Sequence, residues 1–207
     1  MKKRVMIRHR KGDKNTLLLL HFDGNFNDSS IYNRTILESG SPSLSSGVFG
    51  ESILINKGSF LHTEPSWFKE LVNSPQFTID FRFKLNVYIN VGIDDGTTNG
   101  LFFRVMTNRI EAGNHYKFTN YGISEEVTIP SGWNHIAFVC HSGMIKIYLN
   151  GALVISRAKY TYTFPSGNLY IGSRFNNNYD FNGYIDELRI SNIARWTSNF
   201  TPPTKPY

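Results

Sequence analysis

The sequence predicts an all-β fold, two antiparallel sheets packed as a sandwich, with very little helix. Three observations carry that reading. Runs in which apolar and polar residues alternate recur about every 8 to 12 residues, roughly 11 to 13 strands in all, which is the spacing of a sandwich. Asn150-Gly151 separates two such runs, and Asn-Gly supplies the two positive-φ positions of a two-residue hairpin turn. Aromatics make up 14% and hydrophobics 40% of the 207 residues, enough for one sizeable core. No apolar run approaches the roughly 18 residues that span a membrane, so no membrane partner is expected.

Residues 1–15 read as a basic arm and residues 16–207 as one domain. Lys2, Lys3, Arg4, Arg8, Arg10, Lys11 and Lys14 stand against Asp13 alone and account for the whole formal charge of +6, leaving fifteen cations and fifteen anions in the body. Attraction to an acidic surface therefore belongs to the arm, a mobile tail or a short edge strand through Val5 to Ile7. A nucleic-acid face needs basic residues interleaved with aromatics, and the neutral body does not offer one. Leu17 to Leu20 falls short of the roughly 7 to 15 apolar residues of a signal peptide, so either cytosolic retention or export by another route, such as cell lysis, is expected.

Taken in order, Thr16 to Phe22 is an apolar run ending in Asp23-Gly24, a buried strand and then a turn. A long polar connection to Gly50 holds one strand near Thr35 to Leu37. Short strands follow at Ser52 to Ile55 and Ser59 to His62, and Trp67 to Val72 makes one or two helical turns before Pro75. Phe77 to Lys84 alternates most cleanly, with Phe77, Ile79, Phe81 and Phe83 on one face and Thr78, Asp80, Arg82 and Lys84 on the other. Asn90 to Asn99 reads as a polar loop. Strands are then expected at Leu101 to Met106, Tyr116 to Phe118, Glu126 to Ile129 and Trp133 to Cys140. The Asn150-Gly151 hairpin joins Met144 to Leu149 with Ala152 to Ser156. Tyr160 to Phe164 and Leu169 to Ile171 precede a loop over Arg174 to Asp180. The last strand, Tyr184 to Ile190, puts Tyr184, Leu188 and Ile190 on one face. Trp196 and Phe200 then dock a closing segment that Pro202 and Pro203 keep irregular.

The pairing of Gly183-Tyr184-Ile185-Asp186-Glu187-Leu188-Arg189-Ile190 with Ala194-Arg195-Trp196-Thr197-Ser198-Asn199-Phe200-Thr201-Pro202-Pro203 resembles the end of LamG-like, concanavalin A-like jelly rolls. Leu18 to Gly24, Phe77 to Phe83, Trp133 to Phe138, Ile147 to Gly151 and Leu169 to Gly172 fall in the same family order. The resemblance covers about residues 16 to 203. It implies a jelly roll whose first and last strands are neighbours, in a family common in bacteriophage virion proteins and secreted bacterial proteins.

Catalysis is not expected. Glycosidases that share the jelly roll carry carboxylates at alternating positions of one strand, whereas Asp186 and Glu187 are adjacent and face opposite ways. Cys140 and His141 diverge in the same manner, and no His-x-His or Cys-x-x-Cys spacing suggests zinc. His135 reads as a core or half-buried histidine. Asp23, Asn25, Asn27 and Asp28 concentrate side-chain oxygens. Turn chemistry explains them, and so does a calcium site, for which the family resemblance recruits Asp23 and Asp186, with Asp28 as a further candidate.

The resemblance implies a carbohydrate-binding adhesion module of a phage virion that recognises glycan on the bacterial surface. Stacking aromatics and planar hydrogen-bonding groups at loop tips nominate Trp67, Asp94, Asp95, Arg174, Asn176, Asn178 and Tyr179. The alternative is a structural virion decoration or assembly protein, anchored to other virion proteins by the arm, with a homo-oligomer left open. A polysaccharide hydrolase is the third reading. In either of the first two the protein is made in the host cytoplasm and resides in the virion.

Overall fold

Alternation fixes the strands, and the computed structural model shows how they pair. It describes residues 11–56, 58–64, 67–86, 88–94, 101–114, 123–159, 168–172 and 182–207. In chain order these form β1 (Thr16–Leu20), β2 (Ile36–Ser39), β3 (Ser43–Ser46), β4 (Glu51–Ile55), β5 (Phe60–Thr63), α1 (Trp67–Asn73), β6 (Phe77–Leu85), β7 (Tyr88–Asp94), β8 (Leu101–Met106), β9 (Arg109–Asn114), β10 (Ile123–Glu126), β11 (Asn134–His141), β12 (Met144–Leu149), β13 (Ala152–Ala158), β14 (Asn168–Ile171) and β15 (Gly183–Ser191). The expected all-β sandwich is what forms. One sheet has the order β13-β12-β11-β6-β15-β4-β3, with β1 also paired to β15, and the other runs β10-β9-β8-β7-β14-β5-β2.

The core lies between the sheets. Phe77, Ile79, Phe81 and Phe83 of β6 are buried there against Phe103, Phe138, Leu169 and Ile171. Asn150 (φ 50°) and Gly151 (φ 82°) make the expected two-residue turn between β12 and β13. β1 and β15 are indeed neighbours, with Leu20 opposite Leu188.

β15 departs from simple alternation. Its ladder with β6 slips between Asp186 and Arg189, and Glu187 sits at φ 52°. This bulge brings Ile185, Leu188 and Ile190 to the core together, so Tyr184 does not share the face of Leu188 as expected. Tyr184 instead lies under the Lys84 ammonium, 4.0 Å from its ring centroid.

Four strands differ from the sequence expectation. Residues 90–94, read as loop, belong to β7, which β14 and β8 hold by ladders on both sides. β3 shows no alternating pattern, and in β9 the alternation of Ile110 and Ala112 with Arg109 and Glu111 is too short to mark a strand by itself. β10 ends at Glu126 because its single partner, β9, turns away there, so Val127 to Ile129 leave the sheet. The strands expected at 116–118 and 160–164 lie outside the described residues.

The closing segment covers the outer face of the β1-containing sheet, as Trp196 and Phe200 suggested. Their rings stack at 4.0 Å and 7° over Ala137, Val139 and Tyr148, and His135 meets both edge-on. Under the end of that segment, Asp80 and His135 are fully buried.

Candidate functional site

The outer face of the sheet that contains β7 presents the aromatics. Residues opposite one another in an antiparallel ladder share a face. Leu61, Ile171, Phe103 and Ala112 form the core row. One residue along, the outer row is His62, Tyr170, Gly92, Phe102 and Gly113. Gly92 and Gly113 flank Phe102 in this row, and Phe102 itself is buried.

At one end of this row stands an aromatic cluster. The His62 and Tyr170 rings lie 5.7 Å apart at 20°, and Phe60 joins at 5.7 Å from Tyr170 and 5.9 Å from His62. All three are half-buried, so each keeps a surface that a ligand can cover. His62 Nδ1 is buried and finds no hydrogen-bond partner among the described residues. The next outer row pairs Arg104 with Glu111, whose buried carboxylate accepts from Arg104 Nε at 2.8 Å and lies 3.6 Å from Arg109 Nη1. Arg104 also stands over Phe102 at 5.4 Å. Rings that can stack on a flat apolar face, next to fixed donors and acceptors, suit binding of a polyhydroxylated ligand.

Sequence reasoning missed Phe60, His62, Tyr170, Phe102, Arg104 and Glu111. A signal was present, since aromatics occupy the outward positions of β5 and β14, where a solvated strand carries polar groups. What the sequence cannot show is that these two strands pair.

Of the nominated residues, Trp67 opens α1 and is covered on one side by the Arg34 guanidinium at 4.1 Å, which also reaches the Tyr32 ring at 4.8 Å. Asp94 ends β7 opposite Asn168, two positions from Gly92 and Tyr170. Asp95, Arg174, Asn176, Asn178 and Tyr179 lie outside the described residues. Because β7 and β14 run antiparallel, the strand ends that lead to residues 95 and 173 are opposite ends of the sheet.

The acidic residues separate into two groups. Asp28 is an internal brace. Its oxygens accept from Leu19 N (2.9 Å), Ser30 N, Ser30 Oγ and Arg34 N (each 2.8 Å), which ties the long connection back onto β1. Asp23 and Asp186 instead meet one loop. Asp23 Oδ1 accepts from Glu51 N at 2.6 Å, and Asp186 Oδ2 accepts from Val48 N at 2.7 Å and Phe49 N at 3.1 Å. A Cβ on Gly47 would stand 2.7 Å from Asp186 Oδ2, so glycine allows that close approach. Burial raises the Asp186 carboxyl to about 6, against the two backbone hydrogen bonds that lower it; Glu187 and Asp23 add to the rise. Asp186 Oδ1 is buried without a hydrogen-bond partner among the described residues. Glu187 turns elsewhere, to His21 Nδ1 at 2.7 Å and Tyr207 N at 2.9 Å, so these adjacent carboxylates do not converge on one bond. No three His, Cys, Asp or Glu side chains gather for a metal ion among the described residues.

No curated protein matches the chain by sequence. Among solved structures, a botulinum neurotoxin type C chain, described by the dependence of cell entry on two ganglioside molecules, superposes with a TM-score of 0.66 at 16% identity, over 87% of this chain and 48% of that one. The binding domain of botulinum neurotoxin DC in complex with rat synaptotagmin II gives 0.68 at 14%, over 87% and 48%. The chain thus spans about half the length of these neurotoxin chains. Domain 4 of AbnA, a GH43 extracellular arabinanase from Geobacillus stearothermophilus, in complex with arabinotriose, gives 0.68 at 20% identity over 87% of this chain and 93% of that one. Residues 63–198 match the family model of the concanavalin A-like lectin/glucanases. The chain belongs to the concanavalin A-like lectin/glucanase superfamily.

Proposed function

We propose that the protein is a non-catalytic carbohydrate-binding module that serves a phage particle as an adhesin for glycan on the bacterial surface. The observation that carries it is the half-buried cluster of Phe60, His62 and Tyr170 beside the pair of Arg104 and Glu111 on one outer sheet face. Two structures with this fold support a sugar ligand by their own descriptions, one involving gangliosides and the other holding arabinotriose. The virion setting rests on the resemblance of the closing segment. A binding role without hydrolysis is supported by the divergence of Asp186 and Glu187 and by the arginines that hold Glu111. A glycan array and whole-cell binding test the proposal. Tyr170→Ala should weaken binding about tenfold while the fold persists, since a stacking ring contributes on the order of 1 kcal/mol or more. Absence of binding to host polysaccharide at millimolar sugar would sink it.

Anchoring to other virion proteins is assigned to the basic arm. Asp13 near its end is clamped to the body by Arg195, Nη1 to Oδ2 at 3.0 Å and Nη2 to Oδ1 at 2.9 Å, so the base of the arm is fixed to the domain. Deleting residues 1–10 leaves that clamp intact and should abolish incorporation into particles. Unchanged incorporation removes the arm from the mechanism.

A structural calcium ion between Asp23 and Asp186 belongs to the same proposal. The unpartnered, buried Asp186 Oδ1 is the oxygen that a hard cation would take, with backbone and water oxygens completing the shell. Calcium should raise Tm in wild type and not in Asp186→Asn; an unchanged wild-type Tm would rule the ion out.

A further inference from the structure

A groove of about 490 Å³ opens at the edge of the sandwich, away from the aromatic face. It lies where β2, outermost in one sheet, and β3, outermost in the other, are joined by the crossing chain 40–42. Phe26, Ile36, Pro42 and Leu44 supply its apolar lining, and Asn25, Asn27 and Glu38 its polar groups. That size falls within the roughly 300 to 1,000 Å³ typical of small-molecule sites.

The walls are held in place. Asn25 Oδ1 accepts from Asn27 N at 2.8 Å, Gly24 stands at φ 81°, and Phe26 packs edge-on against buried Phe22 at 6.3 Å. Across the groove, Ser41 N donates to Ser59 Oγ at 3.1 Å. A ligand would therefore meet a formed site and little ordering cost.

Glu38 is the informative residue. It pairs with Leu61, which puts it on the core-facing side of β2, yet it is exposed at the groove and has no ionic or hydrogen-bond partner among the described residues. No cation lines the groove. An unpaired carboxylate and a primary amide over an aromatic and aliphatic floor match a pyranose ring that presents hydroxyl or ammonium donors, and repel one that carries a carboxylate.

We propose that this edge groove is a second sugar subsite, selective for neutral or amine-bearing pyranose residues over acidic ones. It rests on the reading of the chain as a glycan binder and is independent of the Tyr170 face. Amide shifts in a heteronuclear NMR titration test it, with glucose, glucosamine and glucuronic acid as separate probes. Glucose and glucosamine should move the amides of Gly24 to Asn27 and Ile36 to Glu38 in wild type and equally in Tyr170→Ala. Glucuronic acid should bind there at least fivefold more weakly, and Glu38→Gln should bring it level with glucose. Asn27→Ala, an exposed loop change, should weaken all three. If the groove amides stay still while the Tyr170 face responds, Glu38 only guards the sheet edge against pairing and the subsite is refuted. If neither region responds, the glycan-binding reading falls with it. If glucuronic acid binds the groove as well as glucose in wild type, the selectivity is wrong.

Discussion

Arg189 Nη2 lies 3.1 Å from Asp80 Oδ2 across β15 and β6, and the Tyr207 ring closes over the guanidinium at 3.6 Å. The Tyr207 hydroxyl donates to Asp80 and stands 3.2 Å from His135 Nε2. Tyr207→Phe keeps the ring and removes one of the donors to Asp80 Oδ2, which Arg189 still serves, at a cost of about 1 kcal/mol. Tyr207→Ala also removes the cation–π contact and should cost about 2 to 3 kcal/mol, read as a lower urea midpoint at unchanged slope. A neutral Tyr207→Ala would show that the closing segment does not hold this network together.

Acid should loosen the same network in two stages. Burial alone would raise the Asp80 carboxyl, but Arg189 and His135 outweigh it and hold it at about 2. Burial lowers His135, which Asp80 only partly opposes, with Arg82 and Arg189 adding to the fall. Below roughly pH 6.5 the unfolded chain takes up a proton at His135 that the folded state refuses, so stability declines. The depressed Asp80 contributes stability that is complete above about pH 4 and lost as pH falls toward 2, on the order of 2 kcal/mol. The raised Asp186 carboxyl works the other way, favouring the folded state as pH falls below about 6, so the His135 contribution is read by difference: His135→Gln should decline less than wild type below about pH 6.5 and match it in slope above. An identical profile in the variant would exclude His135.

Gly151→Ala should be costly for two separate reasons. The position has φ 82°, and an added Cβ would collide with the Phe200 carbonyl of the closing segment. That segment is tied to the turn by Phe200 N donating to Gly151 O at 2.9 Å. Loss of about 2 kcal/mol or more is expected by thermal unfolding, together with a changed Trp196 fluorescence as the ring leaves Phe200. Unaltered fluorescence would uncouple the turn from the segment.

Cys140 should be inert while the protein is folded. It is fully buried, burial raises its thiol, and Sγ lies 3.6 Å from the Pro75 carbonyl. Labelling by a disulfide reagent should proceed no faster than global unfolding. Rapid labelling in native buffer would mean that the edge of β11 opens locally.

Much of the fold was legible because period-two alternation is a local signal. Phe77 to Phe83 and the Asn150-Gly151 turn each declare themselves within a few residues. Where context decides, the signal fails: in β7, Asn90, Gly92 and Asp94 read as a polar loop although Ile89, Val91 and Ile93 alternate with them, and the ladders to β14 and β8 make it a strand. The bulge at Glu187 escaped for the same reason, since no residue type marks it. The candidate site was harder still. Tyr170 and His62 belong to strands far apart in sequence, and only their ladder places the rings together. Asp28 illustrates the turn chemistry weighed for its oxygen-rich loop, a carboxylate that accepts from the backbone of Leu19, Ser30 and Arg34.

β15 lies between β6 on one side and β4 and β1 on the other. During synthesis the first strand emerges with its partner still more than a hundred residues from being made. Until β15 arrives, the sheet is two halves with raw inner edges, and its insertion completes both at once. Folding should therefore be slow and late, gated by closure of the longest loop in the domain. A nascent chain halted before Gly183 would expose β6 and β4 as open seams for chaperones or for one another.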